Sequence, residues 1–123
     1  MDEVQHVKGN PSSLGDHCTF GILTISDRAS TQEYKDKGGP AIYEFFEQSL
    51  LSSATVHYRC IPDEQHEIEN TLIELADGLE CDVIVTTGGT GPSVRDVTPE
   101  ATEAVCDKIL DGFGEQMRAI SLQ

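Results

Sequence analysis

Val83-Ile84-Val85-Thr86-Thr87-Gly88-Gly89-Thr90-Gly91-Pro92 is the stretch that decides the fold. Its first five residues are all β-branched, which suits a buried strand, and the glycines and proline behind them stop the strand and turn the chain. Thr98-Pro99 then reads as a helix start, with Thr98 the expected N-cap and Pro99 at the first helical position. Toward the N-terminus, Phe20-Gly21-Ile22-Leu23-Thr24-Ile25-Ser26 is a second short apolar run, a strand buried on both faces and expected to end near Ser26. After a polar, glycine-bearing segment over 27–39, Ile42, Phe45, Phe46 and Leu50 recur at helical spacing, which predicts a helix from about Pro40. Thr55–Ile61 alternates around Val56 and Tyr58 as a strand does, and Ile68, Leu72, Leu75, Ala76 and Leu79 predict a long amphipathic helix with Asp63 at its start. Strand and helix alternate three times, the order that builds an α/β fold with a mostly parallel sheet and helices on both faces. Such sheets bind ligands at the carboxyl ends of their strands, here residues 26–28, 62–64 and 86–96.

Length and charge narrow the function. A chain of 123 residues holds one small domain with a modest core. Residues 1–19 carry few large apolar groups and no periodicity, so they are expected to form a flexible leader, with the domain over 20–123. Eight Lys and Arg against 22 Asp and Glu give a net charge of -14, which repels a phosphate backbone and argues against nucleic acid as a partner. A phosphate ligand would need backbone N–H groups, a local Arg or Lys and a divalent cation. Cys18, Cys60, Cys81 and Cys106 are scattered without metal-ligand spacing and read as reduced thiols of a cytoplasmic protein. No apolar run reaches membrane-spanning length, so no membrane partner is expected. His6, His17, His57 and His66 are not grouped and receive no role, while Phe113, Met117 and Ile120 recur at helical intervals as packing or a subunit contact.

Three segments can carry chemistry, each with a plainer alternative. The glycines of 88–91 let backbone N–H groups approach an anion closely, but a tight turn that binds nothing explains them equally well. Asp96 is placed to hold Mg²⁺ against phosphate oxygens with Arg95 balancing the charge; a solvated loop carboxylate paired with its neighbour is at least as common. Asp63 is a second candidate carboxylate, although a helix-starting Asp is first an N-cap. Ser26, Asp27 and Arg28 offer a hydroxyl, a carboxylate and a guanidinium to a heterocycle or phosphate, or else form a surface turn with a local ion pair. These residues alone name no substrate.

Taken together, Thr24-Ile25-Ser26-Asp27-Arg28-Ala29-Ser30, Asp36-Lys37-Gly38, Ile61-Pro62-Asp63-Glu64, Thr86-Thr87-Gly88-Gly89-Thr90-Gly91-Pro92, Arg95-Asp96-Val97-Thr98-Pro99-Glu100-Ala101-Thr102 and Gly112-Phe113-Gly114-Glu115-Gln116-Met117-Arg118 closely resemble the bacterial molybdopterin adenylyltransferases. The glycine loop and the Arg-Asp-Val-Thr-Pro-Glu segment are also similar to gephyrin-type and plant domains. The resemblance implies a molybdopterin-binding-type three-layer sandwich and Mg²⁺-dependent transfer of AMP from ATP to molybdopterin, releasing pyrophosphate. It further implies a homotrimer and a partner enzyme that inserts molybdate. Asp63 and Asp96 fall on the family's two essential aspartates, which reverses the cap-first reading of Asp63 while leaving room for both roles; the metal ligands are not thereby fixed. Thr86, Gly88, Gly89, Thr90 and Gly91 match the ligand-cradling loop, and Ser26, Asp27 and Arg28 match a motif near the substrate pocket. Asp36 matches a further polar position without an assigned role. The family's domain continues beyond the segment that ends this chain, so residues 20–123 are expected to be its N-terminal part. A non-catalytic binding or scaffold module of the same fold is the alternative.

Overall fold

A computed structural model describes residues 2–8, 17–50 and 53–123. Strand β2 (Cys18–Ile25) lies inside a four-stranded sheet, between β3 (Ala54–Ile61) and β4 (Val83–Thr87). It runs parallel to both, with Leu23 opposite Arg59 on one side and Thr86 on the other. Successive side chains of a strand point to opposite faces, and β2 uses both. Phe20 and Ile22 join Val56 and Ala54 beneath α2 (Gly38–Ser49), where Phe20 meets Phe46 with ring centroids 4.6 Å apart. Leu23 and Ile25 face the other way, into Ile68 and Leu72 of α3 (Gln65–Ile73) and Ala101 of α4 (Thr98–Val105). The layers are therefore helix, sheet, helix, as the alternation of apolar runs requires.

Details of the expected elements shift for identifiable reasons. The long helix after Asp63 continues past Ile73 as a π-helical turn over Glu74–Gly78, where the Leu79 N–H reaches Glu74 O at 2.9 Å. Widening the turn keeps both Leu75 and Leu79 on the core that Leu72 enters. A one-turn helix, α1 (Asp27–Ser30), follows β2 directly. The expectation of a flexible leader over residues 1–19 is corrected where those residues are described. Asp2–Val7 is strand β1, antiparallel to β3 with Val4 opposite His57, and β2 begins two residues before Phe20. β3 would otherwise be an open sheet edge with unpaired backbone groups, and Val7 buries its side chain in the α2-side core. Residues 9–16 of that leader lie outside the described residues.

Helix α5 (Asp111–Ser121) has the anticipated apolar stripe, but none of its residues is buried; Phe113 is 72% and Met117 71% exposed. Among the described residues nothing buries that stripe. No helix among the described residues is long and apolar enough to cross a membrane.

Leu23 has no exposed surface at the centre of the sheet. Leu23→Ala is expected to cost about 3 kcal/mol through lost burial and the cavity left behind, measurable by urea denaturation with an unchanged m-value.

Candidate functional site

The three parallel strands deliver their carboxyl ends side by side. The Ser26 N–H donates to Ile61 O at 2.9 Å, joining the ends of β2 and β3. One residue further, Asp27 and Asp63 exchange bonds crosswise: the Asp27 N–H donates to Asp63 Oδ2 at 2.9 Å and the Asp63 N–H to Asp27 Oδ1 at 3.0 Å. The N-cap reading of Asp63 is corrected by this arrangement. Helix α3 starts behind Glu64, which makes no side-chain cap bond, and the Asp63 carboxylate instead serves the N–H at the head of α1, where no intrahelical acceptor exists.

The other oxygen of Asp63, Oδ1, is wholly buried and has no hydrogen-bond partner among the described residues. It lies beneath the glycine turn, 3.0 Å from the point a Cβ on Gly89 would occupy. Gly88 and Gly89 have φ of +94° and +69°, the left-handed region that strains any side chain. Space forbids one as well: a Cβ on Gly88 would sit 2.2 Å from Ile25 O, and one on Gly89 2.2 Å from Thr98 Oγ1. Thr98 locks this turn, its hydroxyl donating to Gly88 O at 2.9 Å and its N–H to Gly89 O at 3.1 Å. It is therefore not the cap of α4, whose N-cap is Val97. Further along, Asp96 Oδ2 accepts the Ser93 N–H at 3.0 Å and stands 2.9 Å from the Cβ position of Gly91. Asp63 and Asp96 thus come up against two glycines of one turn. Thr86 lies in β4 opposite Leu23, and Thr90 is exposed between Gly89 and Gly91.

Arg95 does not balance Asp96. Its Nε and Nη2 donate to the two oxygens of Asp27 at 3.1 and 2.8 Å, and its Nη1 donates to Glu64 Oε1 at 2.8 Å. The fork geometry of a guanidinium favours that two-point grip over a single contact with its sequence neighbour. Bonding from Arg95, then from the Asp63 N–H, holds the Asp27 carboxyl below its usual range, and the same pairing pushes the Arg95 guanidinium up. Arg28 stands apart from the carboxylates: it lies 3.7 Å from Glu33 and stacks over Tyr34, 5.1 Å from the ring centroid. Ser26 caps α1, accepting the Ala29 N–H at 3.3 Å, and its hydroxyl meets Tyr34 Oη at 3.0 Å.

Sequence reasoning gave Asp36 no role, although an Asp two residues ahead of a glycine is a local turn signal. Its Oδ1 accepts the N–H groups of Gly38 and Gly39 at 3.0 and 3.3 Å, while its Oδ2 takes the hydroxyls of Thr24, at 2.8 Å, and Tyr58. One carboxylate therefore ties β2, β3 and the start of α2. Burial pushes the Asp36 carboxyl up, but those bonds outweigh it and leave it lowered; burial and the bond to Asp36 push the Tyr58 phenol up.

A carboxyl lowered in the folded state stabilises above its unfolded value, near 3.8, and loses that contribution as pH falls through the folded value. Stability is expected to drop below pH 3.8, and Asp36→Asn is expected to lower stability at neutral pH and flatten that acid limb. Gly88→Ala is expected to cost at least about 2 kcal/mol from strain and the clash with Ile25 O, read from denaturation midpoints.

Comparison with known proteins places the chain in a family. A family model described as "Probable molybdopterin binding domain" matches residues 21–123. The molybdopterin adenylyltransferase of Escherichia coli is 55% identical over 103 residues, 84% of this chain and 53% of that protein. Its Helicobacter pylori counterpart is 52% identical over 104 residues, 85% of this chain and 59% of that protein. The chain therefore spans between half and three fifths of the length of these curated relatives. Among solved structures, the molybdopterin biosynthesis enzyme MoaB of Thermus thermophilus superposes with a TM-score of 0.72 at 37% identity, covering 84% of this chain and 64% of that one. A match of this extent makes the chain a member of the molybdopterin-binding domain family of molybdenum cofactor biosynthesis.

Proposed function

We propose that the strand-end site transfers AMP from ATP to molybdopterin. In that reaction a phosphate oxygen of molybdopterin attacks the α-phosphorus of ATP, a new phosphoanhydride bond forms, and the bond to the bridging oxygen breaks to release pyrophosphate. The observation that carries the reading is the pair of carboxylates, Asp63 and Asp96, set against Gly89 and Gly91 of one glycine turn. The glycines leave the approach to the turn free of side chains, so backbone N–H groups are available to phosphate oxygens.

The residues fit Mg²⁺. Asp63 Oδ1 is a buried, unpartnered carboxylate oxygen, a hard ligand of the kind the ion takes, and no group of three or more acidic or His and Cys side chains at metal-binding positions exists among the described residues. One or two carboxylates completed by substrate phosphates are the usual setting for this ion. Asp63 would hold it, with Asp96 the second candidate, and when bound it would neutralise phosphate charge. Ser26 and Asp27 border the site; Asp27 keeps Arg95 in place rather than contacting phosphate itself. Thr86, Thr90 and Gly88 complete the loop that receives the triphosphate, and Arg28, aimed at Tyr34, lies at its margin.

The exposed stripe of α5 supports assembly into a homotrimer, and the reading extends to a cytoplasmic protein that hands its product to a molybdate-inserting enzyme. A second reading is a binding or scaffold module of the same fold without turnover.

Incubating the folded chain with molybdopterin, ATP and Mg²⁺ and detecting adenylylated molybdopterin by chromatography separates the two. Product is expected, and Asp96→Asn is expected to abolish it with only modest loss of molybdopterin binding. Binding without product from the unsubstituted chain assigns the scaffold role, and unchanged turnover in Asp96→Asn removes that aspartate from the mechanism.

A further inference from the structure

His6, His17 and His57 are ungrouped in the sequence, but the sheet gathers them. His6 stands opposite Thr55 in the β1–β3 ladder, and Thr55, His57 and Arg59, spaced two apart on β3, share one face of the sheet. It is the face that Leu23, opposite Arg59, turns toward α3. His17, just ahead of β2, reaches the same place: its Nδ1 lies 2.8 Å from Ser53 Oγ and its Nε2 2.7 Å from Thr55 Oγ1. His6 Nδ1 approaches that Thr55 oxygen at 3.4 Å. Two imidazoles on two separate segments thus meet at one hydroxyl.

That hydroxyl has a single proton. With the rings neutral it donates to one imidazole and accepts from the other, and the bridge from His6 through Thr55 to His17 is complete. With both rings protonated, each donates to Thr55 Oγ1 and the hydroxyl proton loses its acceptor. The surroundings add to the cost. Arg59 shares the face, Lys8 follows β1 directly, and His57 sits between Thr55 and Arg59 on β3. Of the acids, Asp2 stands opposite Arg59 in the ladder, Glu74 of the π-helical turn bonds to Arg59 at 3.0 Å, and Asp82 accepts the Thr19 N–H at 2.9 Å. Burial, ahead of Asp82, pushes the Cys81 thiol up, so it brings no negative charge.

Apart from the backbone ladder, β1 has few other holds. Of residues 3–7 only Val7 is buried, and Val4, opposite His57, is 51% exposed. Burial, then the Arg59 and His6 charges, hold the His57 imidazole below its usual range. A histidine lowered in this way takes up its proton less readily in the docked arrangement than out of it, so a fall in pH below 6.5 favours release.

We propose that the His6–Thr55–His17 bridge is a pH-gated latch on β1: protonation of the two rings below about pH 6 frees the strand from β3, and deprotonation docks it again. Glu3 and Gln5, on the opposite face of β1, line a cleft of about 610 Å³ beside α2, so release opens that side of the cleft and bares the β3 edge. The latch does not depend on the reaction assigned to the strand-end site.

NMR of the isotopically labelled chain between about pH 7.5 and about pH 5 tests the latch, in the range where histidine titrates. Contacts between Val4 and His57 are expected at the upper end and lost at the lower, with the β2–β4 ladder intact throughout. Protection of the β1 amides is expected to fall at least about tenfold per pH unit, one proton being taken up per release or more. The midpoint is expected to coincide with titration of the His6 and His17 ring signals. The double variant His6→Gln, His17→Gln, which keeps polar side chains without the charge, is expected to hold β1 docked at both ends of the range. Pairing of β1 that persists to about pH 5 in the unsubstituted chain, equal release in the double variant, or a midpoint apart from the ring titrations would each overturn the latch. So would loss of the β2–β4 ladder together with β1, which is general acid unfolding, and a double variant already released at the upper pH, which makes the histidines structural ties only.

Discussion

Two aspartates at the ends of neighbouring parallel strands each accept the other's backbone N–H, and the site is built on that crossed exchange. Ser26 to Ile61 closes the β2–β3 ladder, and Asp27 with Asp63 extends the pairing one step beyond the sheet. Each carboxylate then has an oxygen left over. The spare capacity of Asp27 is taken up by Arg95, which anchors the far end of the glycine loop. That of Asp63 is left beneath Gly89 with no partner among the described residues. Buried carboxylate oxygens are normally satisfied, so the exception marks the point where the fold has stopped serving itself.

Electrostatics around that point follow from the same bonds. The chain is strongly acidic, and the Arg95 guanidinium is committed to Asp27 and Glu64. An anionic ligand must therefore be met by backbone dipoles and a cation. The glycines serve that need by geometry: the turn passes so close to Ile25 O and Thr98 Oγ1 that no side chain fits, and Thr98 pins it with two bonds to successive carbonyls.

The sheet was legible because its strands are short β-branched or apolar runs, whose period and length survive without tertiary information. Val83–Thr87 matches its expected bounds, and Thr55–Ile61 differs by one residue. What was not legible depends on contacts between distant residues. Asp2–Val7 is too polar to announce a strand, and it forms one because β3 offers an open edge. Asp63 and Thr98 sit at helix starts and look like caps, yet each spends its side chain on another strand end. Arg95 and Asp96 are adjacent in sequence, which invites pairing, but the chain turns between Ser93 and Asp96 and Arg95 reaches Asp27 instead. The motifs pointed to these strand ends; the partners there required coordinates.

Amide hydrogen exchange, followed residue by residue by NMR, tests the crossed exchange most directly. The account predicts slow exchange at the Asp27 and Asp63 amides, and in Asp27→Ala a loss of protection at Asp63 while the β2–β3 ladder stays protected. Solvent-rate exchange at both amides in the unsubstituted chain, or undiminished protection at Asp63 in Asp27→Ala, would contradict it.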